Sequence, residues 1–262
     1  MSDSTQDRSS EYSMVESTLL EEVEFQHPED AARTFRKIIS LRVDEKEIFE
    51  FLPKLLAAIR STSAPDQCLS QFERFLNASK DHAKLIQFLS QNPRAVEILV
   101  RIFLSSQYLS QILFRVPDAV YQFIIRENLI ELKSREQYRD EALHLSQVET
   151  EYQGRLDAFR KYQHEQILRL GTCDAFGLMD LRSVTVQMSL LADGLVQACL
   201  ALISQQTGQS LEGFVVLACG KLGGEELNYS SDIDLLFLSD EDPARFWSVG
   251  QKLIQALSNS SA

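Results

Sequence analysis

Glycine is spread very unevenly along this chain. None of the ten occurs before Gly154, and four of them (Gly213, Gly220, Gly223 and Gly224) fall within one short stretch. Glycine lets the backbone turn through positive φ and lets other groups approach it closely, so a long glycine-free run followed by a cluster separates a helical body from a loop of special geometry. The chain is therefore expected to change character near residue 210.

The glycine-free part carries helical spacing. AARTFRKIISL, IFEFLPKLLAAI, CLSQFERFL, AVEILVRIFL, YLSQILFRV and AVYQFII place apolar residues three and four apart, as an amphipathic face requires. Pro65, Pro93 and Pro117 sit where first-turn prolines open helices, whereas Pro53 lies inside a pattern and is expected to end or kink it. Longer helices are predicted over 148–169 and 179–206, separated by a break at Gly171 and Gly177. No fixed-period repeat is present, which argues against a solenoid. The period then switches: GFVVLACG and DIDLLFL read as strands, and helical spacing returns after Pro243. The fold expected is α+β, with a mobile acidic tail over 1–25, a helical domain over 26–208 and a partial αβ domain over 209–262.

Composition narrows the function. With 26 Lys and Arg against 38 Asp and Glu the net charge is −12, a field that repels phosphate backbones, so nucleic acid is not an expected partner. Cys68, Cys173, Cys199 and Cys219 form no CxxC pair, and neither a zinc ribbon nor a disulfide scaffold is suggested. The opening MSDSTQDRSSEYS lacks the pattern of a secretory signal, and the most apolar run, 189–204, is short and carries Asp193. A reduced, cytoplasmic protein without a membrane partner is expected. Cys219 is expected to be a buried small hydrophobe, Phe246 and Trp247 to be core, and His27, His82, His144 and His164, which share no motif, to lie at the surface.

The chemistry concentrates in LACGKLGGEELNYSSDIDLLF, residues 217–237. In a strand, side chains at i and i+2 share a face, so Asp232 and Asp234 point the same way. Two like charges so placed repel unless a cation sits between them, and a divalent oxygen-ligated metal such as magnesium removes that conflict. Gly223 and Gly224 can turn backbone N–H groups toward an anion, with Lys221 and Ser231 adding a charge and a hydroxyl. This is neither a Walker A loop nor GxGxxG. Plainer alternatives exist: an exposed strand face for the aspartates, a simple turn for the glycine pair, and solvent for Lys221. Arg155, Arg160 and Arg169, on the helix ahead of this segment, are further candidates for a phosphate contact.

A glycine pair followed by Asp-x-Asp on a strand resembles the layout of metal-dependent nucleotidyltransferases. Over 220–237, GKLGGEELNYSSDIDLLF resembles, nearly continuously, the signature of the glutamine synthetase adenylyltransferase family. A weaker likeness extends upstream through FLSSQYLSQILFRVPDAV and EQILRL. The resemblance implies a polymerase-beta-like nucleotidyltransferase domain, and an enzyme that adds AMP to a tyrosine of glutamine synthetase or removes it by phosphorolysis. It implies Asp232 and Asp234 as paired metal-binding and catalytic aspartates, Lys221 as a catalytic and phosphate-contacting lysine, and Gly220, Lys221, Gly223, Gly224 and Ser231 as the nucleotide loop. Mg2+, with Mn2+ as a substitute, would be the cofactor, and ATP or ADP the substrate or product. Glutamine synthetase would be the partner, with a nitrogen-signalling regulatory protein as a further one.

The long helical lead resembles that before the first, adenylyl-removing domain of the family. Such sites carry a third carboxylate on a later strand, within a V-D-x-R-L-R-P-like segment, and QKLIQALSNSSA ends where that strand would begin. The resemblance therefore implies a fragment or truncated product. Its alternatives are an inactive remnant that binds a partner, or a stand-alone nucleotidyltransferase with another protein target. Truncation is also expected to leave Val215, Val216, Leu235 and Phe237 without sheet partners.

Overall fold

The computed structural model describes residues 20–121, 129–229, 231–240 and 243–258. The chain is mainly helical, with one two-stranded antiparallel sheet among the described residues. By packing it divides into two compact units, Met1–Glu127 and Asn128–Ala262. The helices over 135–207 thus cluster with the strands that follow them. Most of the 1–25 tail lies outside the described residues, as does the second half of AVYQFII.

The first unit holds six helices among its described residues: α1 (Pro28–Ile39), α2 (Glu45–Arg60), α3 (Pro65–Ala78), α4 (His82–Gln91), α5 (Pro93–Ser105) and α6 (Gln107–Arg115), followed by a 3-10 turn over Pro117–Ala119. Pro65, Pro93 and Pro117 do open their elements, as does Pro28, because a first-turn proline gives up an N–H that has no helical acceptor. Asp44, Asp81 and Ser106 cap α2, α4 and α6 by accepting the N–H groups of Lys46, Lys84 and Leu109, each contact worth roughly 1 kcal/mol. Asp66 accepts the N–H groups of both Gln26 and His27 and so fixes the start of α1 against α3. The core is aromatic: Phe35, Phe51, Phe72, Phe75 and Phe103 are fully buried, and Phe103 meets Phe72 edge-on at 5.1 Å. Contrary to expectation, α2 runs on through Pro53. Its flanking residues Phe51, Leu52, Leu55 and Leu56 are all buried, and that packing outweighs the hydrogen bond a proline cannot make.

The second unit begins with α7 (Arg135–Ser146), opened by a capping box between Ser134 and Gln137. It continues through α8 (Tyr152–Ala175) and α9 (Leu181–Thr207), which pack on α7 and on each other. Gly171 does not break α8: it lies buried in the helix, and the turn falls at Gly177. One described helix, α9, is long and apolar enough to cross a membrane; most of that stretch is buried inside the unit, and its Asp193 pairs with Arg135 at 3.0 Å.

A polar network pins residues 129–134 beneath these helices. Arg169, only 3 % exposed, donates from Nη1 to the carbonyls of Leu129 and Glu131, from Nη2 to the Tyr138 hydroxyl and from Nε to Gln166. Tyr138 donates in turn to Gln187, whose amide brackets the Lys133 backbone.

The sheet pairs β1 (Phe214–Cys219) with β2 (Asp234–Ser239), from Phe214 opposite Ser239 to Cys219 opposite Asp234. A 3-10 turn, Pro243–Phe246, leads into α10 (Trp247–Ser258), which packs on α9. One sheet face is covered: Phe214 stacks on Phe246 at 5.1 Å, and Phe237 lies against Gly250. The open face carries Val215, Leu217, Leu236 and Leu238. This corrects the sequence expectation, because strand alternation turns Val216, Leu235 and Phe237 toward the covered side. The same alternation exposes Cys219 instead of burying it. Phe246 is buried as expected, but Trp247 is 70 % exposed, because the buried stripe of α10 is Val249, Gly250, Leu253 and Ala256.

Candidate active site

β1 ends at Cys219 and the backbone turns at once. Gly220 adopts φ +55°, and Gly220–Gly223 forms a single helical turn. A β-carbon at 220 would stand 2.6 Å from Oδ2 of Asp234, and one at 223 would stand 2.5 Å from the carbonyl oxygen of Ala218. Both glycines are thus required by the protein's own packing: one leaves room for a candidate metal ligand and the other lets the turn sit on β1. The N–H of Gly224 donates to the Gly220 carbonyl, and those of Glu225 and Glu226 to Leu222 and Lys221. The turn therefore closes on itself, and Gly224 does not present its N–H to an anion. Glu225 holds φ +56°, a left-handed conformation that non-glycine residues adopt at a cost of about 1–3 kcal/mol.

Beyond the turn the loop folds back over the helices. Leu227 is buried and donates its N–H to Ser189 Oγ on α9 at 3.1 Å; Tyr229 donates its hydroxyl to Asp174 Oδ2 on α8 at 3.0 Å. Burial, with the adjacent Asp174 carboxylate second, pushes the Tyr229 phenol well above its usual range, so it stays a donor. Ser231 then brings the polar groups together. Its hydroxyl receives the Lys221 ammonium at 3.3 Å and donates to Asn228 Oδ1 at 2.7 Å.

Asp232 lies two residues ahead of Asp234, which opens β2. Exposure nevertheless alternates without interruption from Ser231 to Asp240, so Asp232 and Asp234 share the exposed side with Leu236 and Leu238. Two exposed carboxylates are hard oxygen donors suited to magnesium, which is commonly held by one or two carboxylates with water and substrate phosphate completing its shell. Among the described residues no group of three or more His, Cys, Asp or Glu is arranged to hold a metal. Of the arginines on α8, Arg169 is committed to the buried network and Arg155 donates to Ser146 and Gln205, while Arg160 pairs with Asp157 through Nη1 and leaves its buried Nη2 without a hydrogen-bond partner.

The structure thus joins Gly220 to Asp234 and Lys221 to Ser231. It adds Asn228, Tyr229, Leu227, Ser189 and Asp174, which were not singled out in the sequence. Asn228, three residues before the Ser231 it accepts from, carried a usable signal in its turn chemistry. Tyr229 and Asp174, 55 residues apart, carried none.

A family model described as glutamate-ammonia ligase adenylyltransferase matches residues 96–262. Curated relatives named bifunctional glutamine synthetase adenylyltransferase/adenylyl-removing enzyme match over most of the chain. The one from Aromatoleum aromaticum is 30 % identical over 200 residues, covering 74 % of this chain and 21 % of that protein. Those from Thioalkalivibrio sulfidiphilus and Nitrosococcus oceani are 28 % and 25 % identical, covering 80 % and 90 % of this chain and 23 % and 28 % of their own lengths. The chain belongs to the glutamine synthetase adenylyltransferase family, and it spans 21 % to 28 % of the length of these relatives.

Proposed function

We propose that the Gly220–Asp234 segment is the phosphate and metal site of an adenylyl-removing nucleotidyltransferase, acting in the cytoplasm on AMP-modified glutamine synthetase. The observation that carries it is the convergence of Lys221 and Ser231 next to Asp232, which precedes β2, and Asp234, which opens it, both on the exposed side. The removing half is chosen over the adding half on the likeness of the long helical lead ahead of the motif to the one before the family's first, adenylyl-removing domain.

In this reading an oxygen of inorganic phosphate attacks the phosphorus of the AMP–tyrosine ester. A new P–O bond forms, the bond to the tyrosine oxygen breaks, that oxygen takes up a proton, and ADP leaves. Lys221 places a positive charge beside the phosphate oxygens, and the Ser231 hydroxyl holds the lysine head in place. Gly220 keeps the space in which the Asp234 carboxylate sits. Asp232 and Asp234 would hold Mg2+, or Mn2+, whose chemistry when bound is to neutralise phosphate charge during in-line displacement. ADP is the product of this phosphorolysis; ATP would be the nucleotide of the separate adding reaction, in which the tyrosine oxygen attacks the α-phosphorus and pyrophosphate leaves. A nitrogen-signalling protein is a further partner in this reading.

One observation favours a second reading, a binding module without turnover: no third acidic, histidine or cysteine side chain joins the aspartates among the described residues. The discriminating experiment supplies adenylylated glutamine synthetase, phosphate and Mg2+ and measures ADP. Turnover lost in Asp232→Asn supports the enzyme. A folded chain that binds glutamine synthetase but releases no ADP supports the binding module, and labelling of other lysate proteins by labelled nucleotide supports a different protein target.

A further inference from the structure

The loop that carries the candidate carboxylates is tied to the helices at two points, and one of the tying groups stands where a helix disfavours it. Asp174 lies in the last turn of α8, where the helix dipole is unfavourable to a negative charge. It is half-buried, and the polar partner the structure gives it is the Tyr229 hydroxyl at 3.0 Å. The second tie is buried: Ser189 Oγ donates to the carbonyl of Thr185 one turn back, which leaves its lone pairs free to accept the Leu227 N–H. Between Tyr229 and Asp234 only four residues intervene, so these two ties set where the chain re-enters the sheet. The Lys221–Ser231 and Ser231–Asn228 hydrogen bonds, by contrast, join groups of the turn and loop to one another.

Building on the metal-site reading above, we infer that Asp174, Ser189 and Tyr229 are positioning residues that latch the 224–233 loop to the C-terminal end of α8 and to the third turn of α9 and thereby fix Asp232 and Ser231 relative to Asp234. None of the three touches the reacting atoms. Their effect is geometric, and displacements near 1 Å in such a site are enough to cost up to about 100-fold. The latch also couples the site to the helices: any partner that shifts α8 against α9 moves the loop with them.

The test uses the 262-residue chain, Mn2+ as the probe read by electron paramagnetic resonance, and amide hydrogen exchange. In Tyr229→Phe and Asp174→Ala, Mn2+ affinity should fall about 10-fold, and exchange should accelerate across 225–234 while the amides of the α8 and α9 interiors keep their protection. Asp174→Asn, which retains an acceptor oxygen, should recover most of both signals. Unchanged exchange and unchanged Mn2+ affinity in Tyr229→Phe would overturn the latch. The underlying metal reading fails separately, if wild-type chain and Asp232→Asn bind Mn2+ alike. In that event, exchange accelerated only over 225–234 would still uphold the latch as the loop's anchor, and unaltered exchange would overturn it.

Discussion

Oδ2 of Asp234 and the α-carbon of Gly220 face each other so closely that a β-carbon on residue 220 would come within 2.6 Å of the carboxylate. Strand pairing produces this contact, because Asp234 lies opposite Cys219 and the chain turns back beside it at φ +55°. Gly220→Ala therefore carries both a left-handed backbone penalty and a displaced carboxylate. We expect it to cost about 1–2 kcal/mol of stability and to lower Mn2+ affinity about 10-fold. Denaturant melts and metal titration check this, and an alanine variant with wild-type affinity would contradict it.

Arg169 serves the fold. Its guanidinium donates to two loop carbonyls, a tyrosine and a glutamine while almost fully buried. Arg169→Leu leaves those acceptors unsatisfied and should destabilise the protein by about 3 kcal/mol. Arg169→Lys keeps the charge but loses the planar fork, and should recover only part of that loss. Urea denaturation followed by tryptophan-independent far-UV dichroism measures both, and a loss below 1 kcal/mol for the leucine variant would remove the clamp from the account.

The same network sets an alkaline limit. Burial pushes the Tyr138 phenol up to about 12, against the opposing Arg169 charge and hydrogen bond. The folded state thus holds the proton more tightly than the unfolded chain, whose tyrosines ionise near 10. Stability from this group is fully present below pH 10 and is lost as pH rises through about 12, amounting to about 2–3 kcal/mol. Denaturation midpoints from pH 8 to 11.5 should fall more steeply for wild type than for Tyr138→Phe. Parallel curves would contradict the assignment.

The open sheet face of Val215, Leu217, Leu236 and Leu238 contributes little to the unit's own core. Leu217→Thr with Leu236→Thr should change stability by no more than about 0.5 kcal/mol per site, while binding of an apolar dye falls. A large destabilisation would mean that this face is packed in solution.

Much of the architecture was legible because it rests on local signals. First-turn prolines mark helix starts, the glycine cluster marks the turn beside the candidate carboxylates, and the switch from helical to alternating period marks β1 and β2. Expectations failed where tertiary packing decides. Pro53 is tolerated inside α2 by a buried face; Cys219 and Trp247 are exposed because hydrophobicity alone does not say which side of a strand or helix is covered. At the candidate site, Lys221 and Ser231 were legible from residue type and spacing. The anchors Asp174 and Ser189 were not, because a single sequence has no period that links residues on separate helices to a loop far along the chain.

The central claim is that a divalent metal and a nucleotide phosphate meet at Asp232, Asp234, Lys221 and Ser231. It is tested most directly by measuring ADP affinity with Mg2+ present and with Mg2+ chelated, in wild type and in the chain carrying both Asp232→Asn and Asp234→Asn. The account predicts that chelation weakens ADP binding by at least about 10-fold in wild type, and that the doubly substituted chain shows no response to Mg2+. ADP binding that ignores Mg2+ in wild type, or the same Mg2+ dependence in both proteins, would contradict it.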